Sequence, residues 1–245
     1  MKMKDTLAAC MMLSLAAAAA PSGRLLLVGD STLQRRGATA KQGSWGDALG
    51  DALRPEITIM NYAIGGRSTR TYMPEWTTNV AAKVRAGDRV IIQFGHNDMS
   101  KASDPKAPER RTDPQTEYKD NLRRFIRDVR ARGGEPILCT SITLYLYLKD
   151  GTMRKNPLER WVKAMREVAE ETGTPLVDMN ALTLEATKAA GAEGALQWYM
   201  KSVNGKDWAH PTKAGARKYA GLFLKDVRAR DLAPMRGLLK PAPQP

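Results

Sequence analysis

In the stretch "LLLVGDSTLQ", Leu25 to Gln34, four apolar residues run into Gly29, Asp30 and Ser31, and the hydrophobic pattern stops there. An unbroken apolar run suits a strand buried on both faces, as in the parallel sheet of an α/β domain. Two readings of its end stand side by side. Gly and Asp followed by Ser and Thr is ordinary turn chemistry at a strand exit, with Ser31 capping whatever follows. The same turn also holds a serine hydroxyl at the carboxyl edge of a sheet, where open α/β folds place their reactive groups.

Short apolar runs recur downstream at Ile57 to Tyr62, Arg89 to Phe94, Pro136 to Ser141 and Leu176 to Val177. Between them lie helical patterns at Gly46 to Leu53, Trp76 to Val84, Glu117 to Ala131, Leu158 to Glu171, Leu182 to Ala190 and Lys213 to Arg228. Strands alternating with helices in this way predict a three-layer α/β/α sandwich around a five-stranded parallel sheet. A chain of 245 residues suits one such domain. There is no internal repeat. Its expected span is 21–232, with residues 233–245 a flexible tail.

The first twenty residues read differently. Lys2 and Lys4 precede an apolar, alanine-rich stretch from Leu7 to Ala20, the pattern of a secretory signal peptide. No later stretch reaches the length of a membrane span. The expectation is a secreted or periplasmic monomer with no membrane span. Cys10 leaves with such a leader, and Cys139, the other cysteine, lies in the apolar run "EPILCTSIT". No internal disulfide is then possible, and an inert core thiol is expected.

The formal charge is +13, from 39 Lys and Arg against 26 Asp and Glu. Such a balance favours polyanionic partners. Much of it sits in "YKDNLRRFIRDVRAR", where Leu122, Phe125, Ile126 and Val129 keep the spacing of a core-facing helix. The arginines then fall on the solvated face. No zinc-finger spacing, RNA-binding aromatic signature or helix-turn-helix pattern accompanies them, so no nucleic acid is expected as a partner.

Three strand exits and one late loop carry the unusual polar residues. They are Gly29-Asp30-Ser31-Thr32, "NYAIGGRSTR" after the second strand, "QFGHND" after the third, and "DWAHPTKAG" before the last helix. In a parallel sheet these exits share one edge. A serine hydrolase needs a nucleophile, a base, an acid that orients the base, and donors for the oxyanion. The chain has two histidines, His96 and His210. His96 is held between Gly95 and Asn97 at a strand tip and suits a turn-stabilising role; His210 stands three residues after Asp207, close enough for that carboxylate to reach Nδ1. Two histidines supply no zinc site, and no cofactor is expected.

Taken in order, GDS, the Gly-Arg-Ser turn, GHND and D-x-x-H resemble the SGNH or GDSL hydrolase superfamily. Within it, "GDST", "NYAIGGRSTR", "FGHND", "NLRRFI" and "DWAHPTKAGA" are most similar to the rhamnogalacturonan acetylesterase branch, over Leu25 to Val227. The resemblance implies Ser31 as nucleophile, His210 as base and then acid, and Asp207 as the group that orients His210. It implies an oxyanion hole made by the backbone N–H groups of Ser31 and Gly66 and by the Asn97 amide. It further implies deacetylation of a plant cell-wall polysaccharide, rhamnogalacturonan first, with xylan or a small acetylated compound behind it. Ala209 stands where the branch often has a polar residue, Trp208 is unusual there, and "SITLYLYLKDGTMRKN" is more apolar than the branch suggests.

Arg67 and Arg70 are candidates to meet a uronate carboxylate, against a plain surface role. Trp208, beside Asp207 and His210, is a candidate to stack on a sugar; Trp45 and Trp161 fit the core better. Two other classes stay open. The apolar residues 142–148 suit a lipase or thioesterase acting on longer acyl chains, and the charge alone suits a non-catalytic polyanion-binding protein.

Overall fold

A computed structural model describes residues 23–101 and 103–242. The expected leader, residues 1–20, lies outside the described residues. Five parallel strands form one sheet: β1 (Arg24–Gly29), β2 (Thr58–Asn61), β3 (Arg89–Gln93), β4 (Glu135–Cys139) and β5 (Leu176–Val177), in the order β2-β1-β3-β4-β5. The helices are α1 (Thr69–Glu75), α2 (Ala107–Arg110), α3 (Glu117–Arg130), α4 (Glu159–Thr172), α5 (Met179–Leu196), α6 (Lys201–Asn204) and α7 (Lys213–Ala229), with a 3₁₀ turn over Asp47–Ala52.

The two faces of β1 bury alternate residues because side chains along a strand point to opposite sides. Leu25 and Leu27 join Ile91, Ile137 and Cys139 against Tyr219, Phe223 and Val227 of α7. Leu26 and Val28 join Val90, Ile92 and Leu138 against Phe125 and Val129 of α3 and Met165 of α4. These two cores make the three layers that the sequence predicts. Burial pushes the Cys139 thiol well above the usual range, which suits its place in the core.

The strand order sets the position of the site. The chain leaves β1 for β2 on one side and returns to β3 on the other, so the exits of β1 and β3 flank the point where open α/β sheets form a crevice. Gly29 and Gln93 end their strands side by side in register. The turn carrying Ser31 and the turn carrying His96 and Asn97 therefore face each other.

Two local expectations fail. The helix expected at Trp76 begins earlier, as α1 at Thr69, and continues as a π turn over Trp76–Val80 and a 3₁₀ turn over Ala81–Lys83. A reciprocal cap starts it: Ser68 accepts from the Thr71 N–H, and Thr71 Oγ1 accepts from the Ser68 N–H. Pro74 and the following Thr77 and Thr78 hide the helix by removing a donor and by weak helix propensity. The tail is also anchored as far as Lys240. Met235 and Leu238 are each 1% exposed, and Lys240 donates to the Ala52 carbonyl at 2.9 Å.

The basic face of α3 is largely tied down by carboxylates. Arg123 pairs with Asp120 and Glu171, Lys119 with Glu167, and Arg124 with Asp128. Among the described residues no helix is long and apolar enough to cross a membrane.

Candidate active site

The nucleophile turn is fixed from beneath by buried polar groups. Asp30, fully buried, accepts from the Thr32 N–H at 3.0 Å and the Thr32 hydroxyl at 2.9 Å. Gln93 at the end of β3 donates to Thr32 Oγ1 at 2.7 Å and accepts from Trp45 Nε1 at 2.8 Å. Asp30 Oδ2 faces His96 Nδ1 at 3.5 Å, and His96 Nε2 donates to the Ile142 carbonyl at 3.0 Å. Burial raises the Asp30 carboxyl, but His96 and the Thr32 donors outweigh it and hold the group below its ordinary range. His96 thus braces the turn, in the structural role its place in the sequence suggested.

Ser31 sits above this base, partly exposed, and its hydroxyl donates to His210 Nε2 at 2.8 Å. His210 Nδ1 donates to the Asp207 carboxylate, 2.9 Å from Oδ2 and 3.0 Å from Oδ1. The loop itself folds around that carboxylate, since Oδ1 also accepts from the N–H groups of Ala209 and His210. Burial raises the Asp207 carboxyl, yet the His210 ring and these backbone donors bring it down to about 2. An ionised carboxylate on Nδ1 fixes the tautomer and leaves Nε2 free to take the serine proton. The loop is held by Thr212, which caps α7 by accepting from the Gly215 N–H, and by bonds from Met200 N–H to the His210 carbonyl and from Tyr145 N–H to the Trp208 carbonyl.

The second exit closes the other side. A Cβ at Gly65 would stand 3.6 Å from Ser31 Cβ, which places the Gly65-Gly66 turn beside the hydroxyl. Gly66 has φ +76°, a conformation that other residues adopt only with strain. The Asn97 amide donates one hydrogen to the Arg67 carbonyl at 3.0 Å and has a second to offer. Neither the Ser31 N–H nor the Gly66 N–H has an acceptor among the described residues. Asp98 ties this turn to the third exit by accepting from the Thr69 N–H, the Thr69 hydroxyl and the Thr112 hydroxyl. Burial pushes it up to about 7 against those donors.

The three candidates for saccharide contact fare unequally. Arg67 is exposed at the turn. Arg70 grips Glu117 with two of its nitrogens and donates a third hydrogen to the Pro108 carbonyl, so its guanidinium is occupied within the chain. Trp208 has Arg154 and Lys201 over its ring, 4.6 and 4.3 Å from the centroid, and is not an open stacking platform. It lines a groove of about 760 Å³ with Tyr145, Tyr147 and Leu148. Gln93, Asp98 and the His96–Asp30 contact are supports that no local pattern in the sequence singled out. Among the described residues no cluster of His, Cys, Asp and Glu is arranged to hold a metal ion.

Residues 27–218 match the GDSL-like Lipase/Acylhydrolase family. The chain is 33% identical over 220 residues to "Probable rhamnogalacturonan acetylesterase YesY" of Bacillus subtilis (strain 168), covering 89% of this chain and 99% of that protein. Its structure superposes on the crystal structure of the uncharacterised esterase YxiM of Bacillus subtilis with a TM-score of 0.71 at 26% identity. That overlap takes in 86% of this chain and 57% of the longer YxiM chain. It also superposes on a variant of an acetyl-xylooligosaccharide esterase of Geobacillus stearothermophilus, with a TM-score of 0.61 at 26% identity over 83% of this chain and 93% of that one. With the family matched across most of its length, the chain belongs to the GDSL-like lipase and acylhydrolase family and is an esterase.

Proposed function

We propose that this esterase removes acetyl groups from a plant cell-wall polysaccharide, with acetylated rhamnogalacturonan as the leading substrate, through an acetyl-enzyme on Ser31. The observation that carries the reading is the unbroken chain from Asp207 Oδ2 to His210 Nδ1 at 2.9 Å and from His210 Nε2 to Ser31 Oγ at 2.8 Å. Ser31 Oγ attacks the acetyl carbonyl carbon while its proton passes to His210 Nε2. The N–H groups of Ser31 and Gly66 and the free Asn97 amide hydrogen receive the developing oxyanion. The tetrahedral intermediate collapses, the sugar oxygen leaves with the proton from Nε2, and acetyl-Ser31 remains. Water, deprotonated by His210, attacks that ester and releases acetate and Ser31.

The name of the Bacillus subtilis relative supports the pectic substrate, and that of the Geobacillus enzyme supports acetylated xylan as the next candidate. Export to reach such a polymer belongs to the same proposal and fits the leader expected at residues 1–20.

Acetyl is favoured over long acyl chains by the fate of Leu144 and Leu146 within the apolar stretch 142–148. Leu144 and Leu146, 8% and 1% exposed, pack with Leu158 and Val162 of the neighbouring helical segment. Their apolar surface is spent on the protein's own core. A lipase pocket gains about 0.8 kcal/mol for each methylene it buries, so its rates climb with chain length. Here kcat/KM on p-nitrophenyl esters is expected to fall steeply from acetate to octanoate, and acetate release to be fastest on an acetylated pectic saccharide. A rise along the ester series contradicts the proposal and favours a lipase.

A further inference from the structure

The guanidinium of Arg110 lies over the turn that carries Gly66. Its Nη2 is 2.9 Å from the position a Cβ on Gly66 would take, so it fills the space beside one of the N–H groups assigned above to the oxyanion. Arg110 ends the short α2, in the polar, proline-rich segment that follows β3. Its side chain is 22% exposed, and its nearest carboxylate oxygen, Asp104 Oδ2, is 3.8 Å from Nη1, beyond hydrogen-bond reach. No hydrogen-bond acceptor meets this guanidinium among the described residues.

A guanidinium is costly to withdraw from water without acceptors, and Arg70 and Arg123 avoid that cost by holding carboxylates. Arg70 holds Glu117, and Arg123 holds Glu171. Arg110 instead lies over Gly66 with only a loose ion pair to Asp104 and no hydrogen-bond acceptor among the described residues.

The surroundings share its sign. Exposed Arg67 adjoins Gly66, and a cavity of about 540 Å³ opens nearby with Arg70, Arg111 and Arg160 in its wall. Of the acids close by, Glu117 is engaged by Arg70 and Asp113 by the N–H groups of Gln115 and Thr116, while Asp104 pairs loosely with Arg110 itself. A fork of parallel N–H donors matches a carboxylate, and partial withdrawal from water strengthens such a pair.

We propose that Arg110 binds a carboxylate carried by the acetylated saccharide and makes the site selective for uronate-containing chains. This rests on the reading of Ser31 as the nucleophile. The uronate enters with its carboxylate toward Arg110 and its acetyl ester toward Ser31, and Arg67 adds charge at the rim.

The test compares one acetylated oligogalacturonide as the free acid and as its methyl ester, which removes the charge and keeps the sugar. Acetate release from both is measured for the wild-type chain, Arg110→Gln and Arg110→Lys. The ratio of kcat/KM, free acid over methyl ester, is expected to be about tenfold or more in the wild type. It falls towards one in Arg110→Gln, mainly through KM, and is partly restored in Arg110→Lys. Because the methyl ester is read on the same variant, a general loss of activity cancels from the ratio. A wild-type ratio near one, or a ratio that Arg110→Gln leaves unchanged, overturns the role of Arg110 while acetate release still upholds the esterase reading. Failure of the wild type to release acetate from either form overturns both the role of Arg110 and the pectic substrate proposed above.

Discussion

Ser31→Ala is expected to lower kcat/KM on p-nitrophenyl acetate by about a thousandfold or more, as the loss of a nucleophile does. Its thermal unfolding should stay near that of the wild type. The asymmetry follows from what the hydroxyl touches. Its one hydrogen-bond partner among the described residues is His210 Nε2 at 2.8 Å, whereas the turn is held by Asp30, Thr32 and Gln93 below it and by Arg36, which donates to the Ser31 carbonyl at 2.7 Å. None of those bonds uses the Ser31 side chain. Kinetics paired with a melting curve reads both halves, and near-full turnover in a purified variant would remove the serine mechanism.

The two histidines separate in the same way. His210→Ala should cost about a thousandfold or more, since it removes the group that takes the Ser31 proton and returns it to the leaving sugar. His96→Ala should act mainly on stability. The Asp30 carboxylate behind it is fully buried, and its Oδ2 faces the His96 ring at 3.5 Å with no other donor among the described residues. Stripping that ring away costs about 1–3 kcal/mol, the range for a buried polar group left without its partner. Unfolding midpoints and turnover measured on both variants decide the matter. A dead His96→Ala beside an active His210→Ala reverses the assignment.

The sheet was legible because its strands are buried on both faces. Leu25 to Val28 and Val90 to Ile92 leave no polar interruption, and no helix pattern competes with them. The meeting of Ser31 with the turns that carry Gly66 and Asn97 was also within reach, since a parallel sheet brings all its strand exits to one edge, whereas His210 comes from the loop between α6 and α7. The expected helix at Trp76 failed because its true start is written in a cap, Ser68 with Thr71, inside the stretch "NYAIGGRSTR" that also carries the glycine turn. The tail failed for a related reason: its prolines and glycine suggest a loose end, while Met235 and Leu238 fill the core against α7.

The saccharide-contact residues were the least legible, because what an arginine can bind depends on whether a distant carboxylate has already taken it. Arg70 and Arg110 look alike in the sequence. Glu117, forty-seven residues from Arg70, occupies the first, and the path of the chain after β3 lays the second over Gly66 with only a loose ion pair to Asp104 among the described residues.

The central claim is that Ser31 Oγ forms the covalent bond, and a phosphorylating ester tests it most directly. In diethyl p-nitrophenyl phosphate, attack by Ser31 Oγ on phosphorus expels p-nitrophenolate, His210 takes the proton, and a stable diethylphosphoryl serine remains. Mass spectrometry of the tryptic digest should place a single adduct in the peptide Leu25 to Arg35, appearing in step with the loss of esterase activity and absent from Ser31→Ala. Inactivation with that peptide unmodified, or with the adduct on another residue, would contradict it.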